Sequence, residues 1–313
     1  NIGRSESSMR NLKNRHRTRR EEQATRFFNH HYYGLGKTKS QAKGKLRSVM
    51  TYTRHVEVTA LIMERVGVKR VKQITADIAN DYIESQRNKI ASRSLENHRT
   101  LLQKIVDIYD PGKRVEIKEK LTPRKWSNRA YTYEQVTTLM SHQKERMRLS
   151  TAIAFSAGLR AQELLTIRRI DEADASKQRT WLEKRFKGLE GVKYVVKGKG
   201  GLCREVLLPY KLAQLLETKR LPEPKLIEDR KVKIMTHYDI TGGKKFSDAF
   251  SQLSKSVLGW SHGAHGLRYS YAQERMNHTI PLESYDSKKE IVSQELGHFR
   301  KDITTHYLTP CPH

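Results

Sequence analysis

The sequence predicts a mainly α-helical chain in two parts, the second of which carries a small antiparallel β-sheet. Three observations predict this. Apolar residues recur at helical spacing from about Thr38 to Asp110; the period falls to two between Val192 and Leu208, around a Gly/Lys turn; and helical spacing returns from Phe246 onward. At about 100–200 residues per domain, 313 residues fit two domains.

Residues 1–35 read as a basic N-terminal arm. Arg4, Arg10, Lys13, Arg15, Arg17, Arg19, Arg20 and Arg26 face only Glu6, Glu21 and Glu22 within its first thirty residues, and such a segment is expected to order on a polyanion. The competing reading is a solvated tail without function. Residues 36–110 read as an all-helical module. Its apolar positions are Val49, Val56, Leu61, Ile62 and Val66, then Ile74, Ile78, Tyr82 and Ile83, then Leu95, Leu101, Leu102, Ile105 and Ile108. Ser94 is the expected N-cap of the last helix, which carries Arg93, Asn97 and Arg99 near its start.

Gly112, Pro123 and several basic residues interrupt the pattern, so residues 111–130 are expected to be a linker. The second domain, 131–313, opens with Thr132-Tyr-Glu-Gln135, which has capping-box spacing ahead of Val136, Leu139 and Met140. Helices are expected over Arg148 to Phe155 and after Gly158 through Ile167. Val192, Tyr194 and Val196, then Val206 and Leu208, alternate about the turn Lys197-Gly-Lys-Gly-Gly201, a β-hairpin pattern. Further helices are expected over Phe246 to Val257, around Leu267 to Met276, and from Ile291. The segment 219–245 has no clear period, and no internal repeat is present.

Charge narrows the function. Sixty-one Lys and Arg against 34 Asp and Glu give a net charge of +27. A surplus of that size self-repels unless a polyanion is at hand, so nucleic acid is the leading partner, with an acidic membrane surface or a ribosomal setting as competitors. Mean hydropathy is −0.77, and no apolar run approaches the ~18 residues that span a bilayer, which excludes an integral membrane protein. No secretory leader pattern is found. The two cysteines, Cys203 and Cys311, are too few for a disulfide framework and point to a reducing, cytoplasmic compartment.

Four segments hold residues that are odd as scaffolding and coherent as one site: Gly158-Leu-Arg160-Ala-Gln-Glu163-Leu-Leu, the turn with Lys199, His265-Gly-Leu-Arg268, and Leu296-Gly-His298 followed by Tyr307. Phosphodiester transesterification needs a nucleophile, neutralisation of the phosphoryl oxygens and a proton for the leaving oxygen. Guanidiniums suit the second task because each offers a rigid fork of donors. Arg160 and Arg268 are the candidates.

This set resembles the tyrosine recombinase (phage integrase) family: an Arg in a Gly-Leu-Arg-x-x-Glu-Leu box, a hairpin-turn Lys, His-x-x-Arg, Leu-Gly-His, and a Tyr nine residues after that last His. The resemblance covers Thr132 to Tyr307 strongly, the helical module weakly and the arm not at all. It implies a C-shaped clamp, in which a core-binding helical domain and an α+β catalytic domain close on double-stranded DNA at specific recombination sites. Four protomers, monomeric or dimeric in solution, would exchange strands through a Holliday junction.

On this resemblance Tyr307 forms a 3′-phosphotyrosyl bond, Arg160 and Arg268 clamp the phosphate, and Lys199 protonates the 5′-oxygen, with Lys197 its rival in the turn. His265 assists as acid/base or positions the phosphate, His298 donates to a non-bridging oxygen, and Glu163 orients the arginine box. A phenol with a pKa of about 10 needs a neighbouring base or the field of the arginines. No metal or other cofactor is expected, because the arginines take the charge-neutralising role; His262, the pair His30-His31 and Cys311-Pro-His313 lack further ligands at credible spacing.

Arg93, Asn97, Arg99, Lys197, Arg15 and Arg19 are the expected DNA contacts. A mobile element of a prokaryotic, nucleoid-associated setting, with accessory DNA-bending or directionality factors, completes the expectation. Departures from the family are the long gap from Arg268 to His298, with 277–289 read as an insertion, and the six residues after Tyr307, so that the C-terminal helix many family members dock onto a neighbouring subunit is either absent or lies beyond this sequence. The alternatives are a type IB topoisomerase-like relaxing enzyme and a non-catalytic basic DNA-binding protein.

Overall fold

In the computed structural model, residues 2–37, 41–118, 127–299 and 304–308 are described, without the side chains of 2–16 and of Lys199. The chain divides into two units, 1–125 and 126–313.

The first unit is helical: α1 (Ile2–Tyr32), α2 (Val49–Arg65), α3 (Ala76–Gln86) and α4 (Ser92–Tyr109). Ser48 caps α2 through the amide of Thr51, and Thr75 caps α3 through that of Ile78. Phe28, Ile62, Met63, Ile74, Ile83, Leu95, Leu102 and Ile105 form its core. Two sequence expectations need correction. Residues up to 35 are not wholly an arm: α1 runs through Tyr32, and Ala24, Phe27 and Phe28 are buried in this core, because three apolar residues on one face suffice to dock a helix whose other faces are charged. α4 starts at Ser92, two residues before the expected cap Ser94, and its N-cap Ala91 makes no side-chain bond. Val115 is also buried in this core, so the first part of the expected linker packs on the helical unit.

The second unit contains α5 (Tyr133–Ser141), α6 (Glu145–Ala157), β1 (Arg168–Arg169), β2 (Val192–Lys197), β3 (Cys203–Leu208), α7 (Tyr210–Glu217), β4 (Arg220–Asp229), β5 (Val232–Tyr238), α8 (Gly243–Leu258), α9 (Gly266–Glu274) and α10 (Tyr285–Glu295). Thr132 and Gln135 form the expected capping box. β1, β2 and β3 make an antiparallel sheet in that order, with Tyr194 opposite Val206 and Val196 opposite Arg204. Leu139, Ile153, Leu164, Val196, Leu208, Leu216, Phe246, Phe250 and Leu267 form one core, and Ala272, Ile291, Val292 and Leu296 a second.

The helix expected after Gly158 is a single 3-10 turn, Glu163–Leu165, because the chain must then extend to pair Arg168 and Arg169 with β2. Segment 219–245 is an antiparallel hairpin of β4 and β5. Its strand character is masked in sequence by Pro222 and Pro224, which fall where the register slips between Arg220 and Lys225. Asp229 fixes the end of that hairpin by accepting from the amide of Lys244 at 2.7 Å. Within 277–289, α9 continues into a π-helical turn, Arg275–Thr279, before α10 begins.

Candidate active site

The arginine box is shaped by the end of α6. Gly158 closes the helix in the left-handed conformation at φ 61°, and any Cβ there would lie 2.6 Å from the Tyr271 ring. The chain then doubles back so that the buried carboxylate of Glu163 accepts from Arg160 twice, through the backbone amide and through Nη1, both at 2.8 Å. Arg204 Nη2 donates to the same carboxylate at 2.8 Å, and Arg268 Nη1 lies 3.7 Å from it. Burial alone would push the Glu163 carboxyl up, but the guanidiniums of Arg204, Arg268 and Arg160 outweigh it and hold it at about 2.

Arg268, on the first turn of α9, is fully buried. Its guanidinium donates to the carbonyl of Gly158 at 2.6 Å and to that of Leu296, joining two of the sequence boxes through their main chains. Burial, then repulsion from Arg160, lowers it to about 9, so it stays charged at neutral pH.

His298 follows Gly297, which turns the chain out of α10 at φ 71°. Its Nε2 lies 3.1 Å from Arg160 Nη2 and 3.2 Å from Arg268 Nη2. Arginine only donates, so this nitrogen is the acceptor and the imidazole is neutral. Burial, reinforced by Arg268, Arg160, Arg204 and His265, holds it at about 2. Two guanidiniums thus converge on one lone pair, where a phosphate oxygen would be the stronger acceptor. Arg268 Nε and His298 Nδ1 are buried without a hydrogen-bond partner among the described residues.

Tyr307 is buried at 6% exposure, with its hydroxyl 3.2 Å from His265 Nε2. Its ring centroid is 4.5 Å from Tyr269 and 5.3 Å from His298, and the Arg268 guanidinium lies 5.9 Å from it. Gln273 donates to the Tyr307 carbonyl at 3.0 Å. His265 is lowered to about 3 by burial, then by Arg268, Arg160 and Arg129, and so is neutral and able to accept the phenolic proton.

Lys199 lies in the 3-10 turn Lys199–Gly201 between β2 and β3. The neighbouring Gly198 abuts the Arg160–Glu163 pair, since a Cβ there would meet Glu163 Oε1 at 2.8 Å. Thr166 Oγ1 clamps the turn by bonding both the amide and the carbonyl of Lys197. The Lys199 side chain is outside the described residues.

Arg160, Glu163, His265, Arg268, His298 and Tyr307 therefore gather in one place. Lys197 is exposed on β2. In the helical unit Arg93 and Asn97 are exposed one turn apart on α4, whereas Arg99 is tied to Glu96 at 2.7 Å; Arg19 is exposed on α1, and the Arg15 side chain is outside the described residues. Cys311 also lies outside them. Among the described residues no three His, Cys, Asp or Glu gather as a metal site, and no helix is long and apolar enough to cross a membrane.

Sequence reasoning missed Arg204, Tyr269 and Gln273. Only Arg204 carried a signal: it falls in phase with the inward-facing Val206 and Leu208 of β3.

No family model and no curated protein matches the chain. Solved structures do. A lambda integrase tetramer bound to a Holliday junction superposes with a TM-score of 0.57 at 12% identity, covering 87% of this chain and 74% of that one. A lambda integrase dimer bound to a COC′ core site gives 0.56 at 14% identity over the same shares. The Tn1549 transposon integrase in complex with circular intermediate DNA gives 0.51 at 14% identity, covering 93% and 94%. The chain shares its fold with these integrases.

Proposed function

We propose that this chain is a tyrosine recombinase, a site-specific DNA strand transferase that works without metal or ATP. The observation that carries the reading is the convergence of Tyr307, His265, Arg160, Arg268 and His298. The nucleophile's hydroxyl sits on a neutral base while two fixed guanidiniums share one acceptor beside it. Tyr307 Oη attacks phosphorus, its proton passing to His265 Nε2, as the bond to the 5′-oxygen breaks. Lys199 supplies the proton to that oxygen, and Arg160 and Arg268 hold the non-bridging oxygens, while His298, through the Nε2 that accepts from both guanidiniums, aligns them in place of the donor role expected for it. The 3′-phosphotyrosyl bond conserves the energy of the broken ester, and attack by a 5′-hydroxyl of another strand releases the enzyme.

The helical unit and the surplus of positive charge would supply the grip on the duplex, with Arg93, Asn97, Lys197, Arg15 and Arg19 as contact candidates and Arg99 less available because of Glu96. Assembly as a tetramer on two sites, joined through a Holliday junction, extends the state printed for the lambda integrase structure to this chain.

The test is to mix the protein with a library of short nicked duplexes of randomised sequence and stop with denaturant. Covalent protein–DNA adducts enriched for one sequence are expected from the wild type and none from Tyr307→Phe. Absence of adducts across the library would overturn the reading.

A further inference from the structure

We propose that Arg204 is the positioning residue of this site: its guanidinium ties Glu163, which orients Arg160, to the Glu295 carbonyl at the end of α10, just before the Leu296–His298 turn, and thereby sets the spacing of Arg160, Arg268 and His298. The inference rests on the functional reading above and deepens it.

Arg204 is 1% exposed, on the inward face of β3 opposite Val196. A buried guanidinium is costly unless its donors are met, and here the two terminal nitrogens are met, one on each side, while Nε has no partner among the described residues. Nη2 donates to Glu163 Oε2 at 2.8 Å, while Nη1 donates to the Glu295 carbonyl at 2.6 Å. Its stem lies under Gly297, where a Cβ would come within 2.9 Å of Arg204 Cδ, so the turn is closed directly onto this side chain. One planar group therefore links the box of Arg160 and Glu163 to the residue just before Leu296-Gly-His298. A lysine, with a single nitrogen, keeps the charge but not the two fixed directions.

The Glu295 side of the bridge is itself held. Its carboxylate accepts from Arg275 at 2.7 and 2.9 Å, from Tyr271 at 2.8 Å and from the Phe186 amide at 2.8 Å. Arg275 balances Glu295, whereas Arg160, Arg204 and Arg268 together face only Glu163. The surplus is two positive charges, suited to a phosphoryl group gaining negative charge. The groups that act on His298 are Arg268, Arg160, Arg204 and His265, with the Tyr307 ring tilted beside it, so Arg204 also helps keep that imidazole neutral in the empty site.

The test uses the full chain, inorganic phosphate as probe and histidine-selective NMR at pH 7, so it needs no cleavage substrate. A failure of the recombinase reading would leave it interpretable. Arg204→Lys, checked for wild-type thermal unfolding, should bind phosphate about ten-fold more weakly, in line with loss of a bond to a charged group. Arg204→Gln should show the same loss. In both variants the change that phosphate induces in the His298 ring signals should shrink in step. A purely structural arginine would shift neither observable in a folded variant. If either folded variant binds phosphate within two-fold of wild type, or keeps the wild-type His298 response to phosphate, the proposal fails. Should both variants lose cooperative unfolding, wild-type guanidinium NMR decides. Slowly rotating Arg204 Nη protons in contact with Gly297, unchanged by phosphate, are expected, and freely rotating ones would overturn the bridge.

Discussion

The Tyr307 hydroxyl lies 3.2 Å from His265 Nε2, and both residues belong to the second unit of the chain. Because burial and three arginines hold His265 at about 3, the imidazole is neutral in the empty site. On the proposed function, an arriving phosphodiester would bring negative charge that offsets those arginines and would make His265 a stronger base. His265→Asn should therefore slow adduct formation by about 10²–10⁴-fold, the usual range for a general base, with duplex affinity little changed. Single-turnover cleavage at saturating DNA measures this; a rate within a few-fold of wild type would assign Tyr307 activation to the arginine field alone.

Arg160→Lys should lower the cleavage rate by about 10²–10³-fold, because the lysine replaces a donor pair held by Glu163 with one mobile ammonium. Electrophoretic mobility shift of the same DNA should move far less than the rate.

Lys199→Ala should abolish cleavage of ordinary DNA yet cleave a substrate whose scissile 5′-oxygen is replaced by sulfur, since a thiolate leaves without a proton. Failure of the sulfur substrate to restore the rate would remove Lys199 as general acid, and rescue of Lys197→Ala instead would move the role to that residue.

Stability should fall with acid in the unliganded protein. His265 and His298 titrate near 6.5 when unfolded but at about 3 and about 2 when folded, so below pH 6.5 the unfolded chain binds more protons. Stability is intact above 6.5 and is lost as pH falls toward about 3. Glu163, lowered from 4.5 to about 2, adds to the loss below 4.5. Urea unfolding of the wild type from pH 7.5 to 4 should show this slope, and His298→Asn should flatten it. Glu163→Gln, which strands Arg204 and Arg268, should cost about 3–5 kcal/mol in the same assay at pH 7.

Arg19 is exposed on the described part of α1. If it meets a DNA phosphate, Arg19→Glu should reduce the slope of log affinity against log salt by about 1. An unchanged slope places α1 away from the backbone.

The Tyr–His–Arg arrangement was legible because its residues carry fixed spacings: His265 three before Arg268, His298 nine before Tyr307. The helices of the first unit were legible because Ile62, Ile83, Leu102 and their neighbours repeat at the period of a buried face. Arg204 was not, since one basic residue among 61 looks like surface, and only its phase with Val206 and Leu208 says otherwise. The β4–β5 hairpin was hidden by two prolines that a register slip accommodates, and the docking of α1 by charge that outnumbers Ala24, Phe27 and Phe28. In each case tertiary packing decided what local composition could not.

The central claim, that Tyr307 attacks phosphorus, is tested most directly by mass spectrometry of protein recovered from the trapped adducts after nuclease and trypsin. The account predicts a nucleotide joined by a phosphate to the peptide beginning at Asp302, on Tyr307 and through its 3′-end, and no such species from Tyr307→Phe. A nucleotide on any other residue, or adducts of undiminished yield from the variant, would contradict it.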